Sequence, residues 1–499
     1  MILKKIEFKG KMIRRDVLRH WPIWALSFLV YVFVVFLANS FSKGFLSSAT
    51  KYDFTVVIIS SLVSLTHILA LSVGLAAAWA AFGFFGKKKK DYFYETLPFS
   101  RLSLFANRFL FGFIICILPC VAMFFIELIQ ILLKSGNFAF LMLLEWFVTA
   151  FVEYLFWYSL AVLFFVLCGR VMMAGFCYLM FAFVGLVLRF FIELANMVCF
   201  IGVSSGLGNG DSILGILSPV EYIFGMELTI LRIDYISGET SDVFMEGALA
   251  KYCVILIAGI ISALAAYFLF NKRKSEHTGD NIAFKGMKYV FCSVISFVAT
   301  LAMSMILYTI LFYKNDEIAH HSGERVKMII LMAVTGFVIY LISSMIVERR
   351  LKVFKTNWLK AVIFAVAVSM IGLGYLHDVF NIEGYTPNIK DVQKIDMNTY
   401  DTKFNEAFKL EGKKRSVTIT DEDVISAIID IHKIVISDID DTVRTYADDY
   451  DDYYTLYFSY TLNNGSYISR YYRIKEGSNL DKKLMDYLNN NYGKRGEVA

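Results

Sequence analysis

The sequence predicts an all-α polytopic membrane protein of about nine transmembrane helices, with a small C-terminal α+β extracytoplasmic domain. Three observations predict it. Of 499 residues, 57% are hydrophobic and 19% charged, with a mean hydropathy of +0.57, whereas a soluble domain carries about a quarter charged residues. Apolar runs of the roughly 20 residues that cross a bilayer core as helix recur along the first three quarters of the chain. From residue 384 the composition turns polar and acidic, with 16 Lys and Arg against 20 Asp and Glu over 116 residues, enough for a small domain.

The elements follow in order. In residues 1–20, Ile2, Leu3, Ile6, Ile13 and Val17 fall within about 100° of a helical wheel, and Lys4, Lys5, Lys11, Arg14, Arg15 and Arg19 fill the rest. That pattern predicts a cytoplasmic amphipathic helix in the membrane interface, which Gly10 weakens. The apolar stretch that follows is longer than a signal-peptide core, so it is read as an uncleaved first span. Hydropathy places spans near 22–41, 54–86, 105–133, 138–168, 171–203, 252–270, 287–313, 326–347 and 359–377. Residues 21–271 therefore form a six-span core and 272–383 hold three further spans. Pro119 falls inside the third span and should kink it where neighbours can satisfy the freed carbonyl.

Lys and Arg number 22 in one alternate set of inter-span segments, the one containing the N-terminus, and 7 in the other. Positive charge is retained in the cytoplasm, so the N-terminus is predicted inside and the C-terminal domain outside. All seven cysteines lie in apolar runs, which argues against a disulfide framework or a cysteine zinc site. In the tail, Ser416 to Thr420 reads as a strand and Thr420 as the cap of a helix with Val424, Ile428 and Ile431 on one face. Two alternating stretches around Asn464-Gly465 predict a hairpin, and a last helix follows Ser478.

The loop between the second and third spans, GKKKKDYFYETLPFSRLSLF (86–105), is the unusual one. Lys87, Lys88, Lys89 and Lys90 suit anionic headgroups at the membrane surface. Tyr92, Phe93, Tyr94 and Leu97, just before Pro98, form an apolar patch that can lie on the membrane or dock into a partner. A basic stretch after the second span, a short aromatic helix and Leu-Pro-Phe-Ser-Arg leading into the third resemble the coupling region of type-2 ABC exporter permeases. The resemblance covers roughly residues 10–271 and extends to Leu217-Ser218-Pro219.

The resemblance implies a transport subunit rather than an enzyme. A cytoplasmic ABC ATPase on a separate chain would bind ATP and magnesium, this chain would bind no cofactor, and a second permease copy or a related permease would complete the dimer. Tyr92, Phe93, Tyr94, Glu95, Leu97 and Arg101 would engage the ATPase. The sequence contains no GxxxxGK[ST] phosphate loop, and its cytoplasmic loops are too short for a nucleotide-binding domain, so a partner has to supply ATP hydrolysis. Nothing points to nucleic acid. The implied place is a bacterial plasma membrane, and the implied cargo an amphipathic or peptide-like compound exported or removed from the membrane, as with long permeases of Gram-positive bacteria that respond to cell-wall-active antibiotics. The three extra spans and the outer domain depart from the six-span pattern. They keep a second reading open, a membrane receptor or accessory subunit that senses a ligand through its outer domain.

Charged groups inside a span each cost about 2.5 to 3.5 kcal/mol and ask for a partner or a wet path. Glu127, Glu145, Glu153, Arg189 and Glu193 are the candidates, and the four-residue spacing of Arg189 and Glu193 permits a pair on one helix face. Their functional reading is a lining of the translocation path, and their plain reading is structural pairing. Gly208-Asn-Gly-Asp211 matches an intramembrane aspartyl protease motif but lacks a second aspartate at membrane depth. His320-His321 lacks a third ligand, and the acidic stretch 438–452 lacks EF-hand spacing. The resemblance implies that the outer end of the fifth span folds back as a re-entrant hairpin, which the short apolar pieces of the loop from 204 to 250 suit.

Overall fold

A computed structural model describes residues 10–45, 51–96, 98–134, 137–200, 202–205, 218–224, 232–233, 240–241, 248–273, 278–312, 322–379, 381–398, 417–437, 453–463 and 467–491. A short helix, α1 (Gly10–Arg19), precedes α2 (Trp21–Phe45) and α3 (Lys51–Phe82), and a second short helix, α4 (Lys88–Glu95), precedes α5 (Arg101–Lys134). Next come α6 (Asn137–Leu167), α7 (Val171–Cys199), β1 (Val203–Ser205), α8 (Pro219–Phe224), the small β2 (Arg232–Ile233) and β3 (Thr240–Ser241) pair, and α9 (Ala248–Lys272). The last membrane-length helices are α10 (Lys285–Phe312), α11 (Ser322–Glu348) and, after the one-turn α12 (Val353–Thr356), α13 (Trp358–Leu376). The C-terminal segment runs β4 (Val392–Asn398), β5 (Val417–Ile419), α14 (Glu422–Ser437), β6 (Tyr453–Leu462), β7 (Tyr467–Lys475) and α15 (Asn479–Asn491).

Among the described residues nine helices are long and apolar enough to cross a membrane, so the chain is a multi-pass membrane protein. Every helix end lies within four residues of its predicted span. The fifth span falls short most tellingly: hydropathy carries it to 203, but the helix stops at Cys199 and Val203 begins a strand. α5 runs unbroken through Pro119. Of the weak motifs, Gly208 to Asp211, His320-His321, the acidic stretch 438–452, Asn464-Gly465 and most of 204–250 lie outside the described residues, as do residues 1–9 of the amphipathic helix.

The chain divides into two compact units, 1–183 with 219–289, and 184–218 with 290–499. In the first, small residues let helices approach closely. A side chain at Gly74 of α3 would stand 3.1 to 3.3 Å from the backbone and Cβ of Trp157 and Tyr158 on α6, and Gly259 of α9 sits equally close to Phe156. Buried hydroxyls tie the same helices together. Tyr31 of α2 meets Thr66 of α3 at 3.0 Å and Tyr154 of α6 at 3.3 Å, and Trp146 Nε1 donates to Thr66 at 3.0 Å. Tyr178 of α7 donates to the Leu71 carbonyl at 2.8 Å.

In the second unit, the end of α7 packs with α10, α11 and α13 around Met305, Tyr308, Met332 and Val368. Tyr375 of α13 donates to Asn196 of α7. The antiparallel C-terminal sheet has the order β1-β7-β6-β4-β5. Alternation in β6 buries Tyr454, Leu456, Phe458 and Tyr460 against α14 and against Leu480, Leu484 and Leu488 of α15. The cap of α14 is Asp421 rather than Thr420: its Oδ1 accepts the Asp423 N–H at 2.9 Å, one residue nearer the first turn. α15 starts as predicted after Ser478, whose hydroxyl accepts the Asp481 N–H at 3.1 Å.

The edge strand β1 comes from far outside residues 384–499. It follows α7 after three residues and pairs with β7, and Tyr471 N–H donates to the Gly202 carbonyl at 2.9 Å. Gly202 holds φ at +75°, and a Cβ there would lie 2.0 Å from Tyr472 Cε1. Buried Arg470 donates to the carbonyls of Ile382 (2.8 Å) and Tyr385 (3.0 Å), fixing the segment after α13 to β7.

Gly202→Val combines a left-handed backbone with a clash, so the C-terminal sheet should lose about 2 to 4 kcal/mol. Hydrogen exchange of the β6 and β7 amides should accelerate correspondingly, and unchanged exchange would show that β1 contributes nothing.

The other weak point is His432, whose ring lies between Tyr472 (2.9 Å) and Tyr460 (3.2 Å). Burial, helped by the Arg470 charge, pushes this imidazole down to about 3. Folded His432 stays neutral where the unfolded chain takes up a proton, so its contribution is complete above pH ~6.5 and is lost as pH falls toward 3, in total about 5 kcal/mol. Exchange protection of the sheet should fall across that window in the wild type and vary less with pH in His432→Gln.

Candidate functional site

The loop between α3 and α5 folds into a two-turn helix with distinct faces. Phe82 leads through a 3₁₀ turn (Gly83–Gly86) to extended Lys87, which starts α4, and Pro98 follows its last residues. One face is seated. Asp91, 3% exposed, accepts a hydrogen bond from Thr278. Tyr94 packs against Phe84 in a tilted arrangement at 4.4 Å between ring centroids, lies 4.4 Å beneath the Arg108 guanidinium, and accepts from Arg108 Nη2 at 2.5 Å. Arg108 in turn donates to Asp16 Oδ2 at 3.1 Å, so α1, α4 and α5 meet at one buried ion pair.

The other face is open. Tyr92 is 56% and Phe93 60% exposed, and Lys87 to Lys90 are exposed beside them. The predicted partner-facing set is therefore divided: Tyr92 and Phe93 point outward, whereas Tyr94 is part of the seat. Arg101 donates to the carbonyls of Asn271 (2.9 Å) and Arg273 (3.2 Å) at the end of α9. Leu97 and the side chain of Glu95 lie outside the described residues. Behind α4 is a cavity of about 200 Å³ walled by Phe84, Phe85, Tyr94, Phe270, Arg101 and Arg273. Arg273 closes it by donating to the carbonyls of Val166 (2.6 Å) and Cys168 (2.8 Å), where a cation complements the C-terminus of α6.

The charged groups within the spans take different places. Glu153, 1% exposed, pairs through Oε2 with Nδ1 of His67, 4% exposed, at 3.0 Å. Arg189 Nε donates to Glu193 Oε1 at 2.8 Å along α7, the pair their spacing permits. Glu127 is buried in α5 and Glu145 half-buried in α6. Sequence reasoning missed Asp16, Asp91, Arg108 and Arg273, whose charges sit near helix ends, and His67, whose only signal is an imidazole in an apolar run. Among the described residues no three His, Cys, Asp or Glu side chains converge on a metal-sized site.

No family model, curated protein or solved structure matches the chain.

Removing one partner of a buried ion pair costs about 3 to 5 kcal/mol, because the survivor keeps its charge without compensation. Asp16→Ala should therefore lower the thermal midpoint of the purified protein clearly, and adding Arg108→Met should restore most of it. Equal midpoints for wild type and Asp16→Ala would show that the pair does not hold α4 in place.

Proposed function

We propose that the chain is the permease subunit of an ATP-driven type-2 ABC exporter. It would lie in a bacterial plasma membrane with its N-terminus inside and its C-terminal domain outside. The observation that carries this reading is the open face of α4: two large aromatics held outward by a helix whose opposite face is fixed to α1, α5 and the segment after α9. Exposed aromatics on a rigid seat suit insertion into a groove of a partner, where such residues carry most of the binding energy. The chain has no phosphate loop, so the partner is a separately encoded ATPase that binds ATP and magnesium. A pushed α4 moves α1 and α5 with it through Tyr94 and Arg108, which makes the loop a lever. A second copy or a related permease completes the pathway, with lipids around it. The cargo class is an amphipathic or peptide-like compound.

A receptor reading is favoured by one observation, the strand β1 that joins the end of α7 to the C-terminal sheet. Such a join suits a domain that senses a ligand and passes the event to a membrane helix.

Affinity purification of the tagged protein in mild detergent, with mass spectrometry of what co-purifies, tests the first reading. A soluble ATPase should be recovered near stoichiometrically and fall about 30-fold or more in the Tyr92→Ala, Phe93→Ala variant, from roughly 2 kcal/mol at a lost anchor. Recovery of a sensor kinase with no ATPase would overturn it in favour of the receptor. Undiminished ATPase recovery with the double variant would remove the anchors from the proposal.

A further inference from the structure

The buried pair between α3 and α6 has no part in docking α4, yet it joins two ionisable groups inside the membrane. His67 Nδ1 and Glu153 Oε2 stand 3.0 Å apart, and the Phe224 ring of α8 covers His67 at 5.4 Å between centroids. The surroundings are neutral hydroxyls, thiols and rings: Tyr31 of α2, Cys116 and Cys120 of α5, Tyr154 of α6 and Tyr252 of α9, all buried. The elements around the pair also carry Glu145 of α6, Glu221 of α8, Arg108 and Glu127 of α5 and Lys251 of α9; Glu145 and Glu153 both act electrostatically on Tyr252.

Neutral imidazole can make this bond to a carboxylate through Nδ1–H, but that leaves a net negative charge, which one added proton cancels. Imidazolium with carboxylate and imidazole with carboxylic acid are two placements of the same proton, and both are net neutral. Adding a second proton, or removing the first, leaves an isolated charge in an apolar interior, which costs several kcal/mol. The packed pair therefore keeps its count at one. Separated in water, the groups behave differently: Glu ionises above about 4.3 and His loses its proton above about 6.5.

We infer that His67 and Glu153 form an intramembrane proton-binding site whose proton is released to water when α3 and α6 part. Above pH ~6.5 the packed state holds one proton and the separated state tends to none, so linkage makes separation more favourable as pH rises, approaching tenfold per pH unit. Between about 4.3 and 6.5 both states hold one proton and no exchange accompanies the movement. Above pH ~6.5 the site thereby ties separation of α3 from α6 to proton release, whatever drives it. This holds for a permease or a receptor alike.

The test is a distance measurement on the full chain in lipid nanodiscs. Spin labels go on Ile68→Cys of α3 and Val148→Cys of α6, both exposed on the outside of the helices, with Cys253→Ser and Cys199→Ser removing background labelling. The fraction of the longer α3–α6 distance should rise from pH 6.5 to 8, approaching tenfold per unit at the upper end. Glu153→Gln keeps a hydrogen-bond partner for His67 but no carboxyl, and should be flat over this range. Glu145→Gln should keep the wild-type slope. If Glu153→Gln does not fold, His67→Gln with Glu153→Gln is the flat comparison. A wild-type distribution that does not change with pH, or an equal slope in Glu153→Gln, would overturn the assignment.

Discussion

A bilayer interior offers no hydrogen-bond partner, and the rest of the structure follows from that constraint. Each polar side chain on a membrane-length helix has to find its partner in the protein. Short hydroxyls do so locally: Thr300 bonds the Ser296 carbonyl and Ser369 that of Ala365, four residues back on their own helices. Tyrosines reach further and so become joints between helices, as Tyr31 does across α2, α3 and α6. Polar groups that cost energy in lipid thus hold the bundle together. Carboxylates follow the same logic at higher stakes, and His67 is the answer to Glu153.

The same pressure at the helix ends shapes α4. A helix of eight residues has too little surface to hold itself in place, and an isolated peptide of that length is marginal in water. Asp91 and Tyr94 supply fixed points on one side, leaving Tyr92 and Phe93, their neighbours in sequence, on the far side. The exposed pair is therefore a geometric consequence of the seat: along a helix, successive residues turn about 100° apart, so anchoring positions 91 and 94 turns 92 and 93 away.

Much of this architecture is legible in the sequence, for a physical reason. Hydropathy reports the solvent that each segment meets, so all nine spans and the polar tail can be read from it, and alternation marks β6 and β7. Contacts between distant residues leave no such trace. β1 is Val-Ser-Ser, whose first residue looks like the end of the fifth span and whose serines look like the start of a loop, and only the partner strand, more than 260 residues later, makes it a strand. Tyr94 and Tyr92 are the same residue type two positions apart, and their opposite orientations come from Arg108 and Phe84. His67 is one imidazole in an apolar helix until Glu153, 86 residues on, gives it a role.

The placement of β1 has a further physical consequence. Without it, β7 would be an edge strand with its outer row of backbone groups unpaired, an arrangement that invites pairing with other chains. The chain closes this edge with residues tied covalently to a membrane helix, so completing the sheet and fastening it to α7 are one event. Arg470 adds the second fastening, to the segment after α13, from the same strand. Two helix ends thus meet on β7. The C-terminal sheet is therefore built as an extension of α7 and α13, and a displacement of β7 is resisted by, and passed to, both.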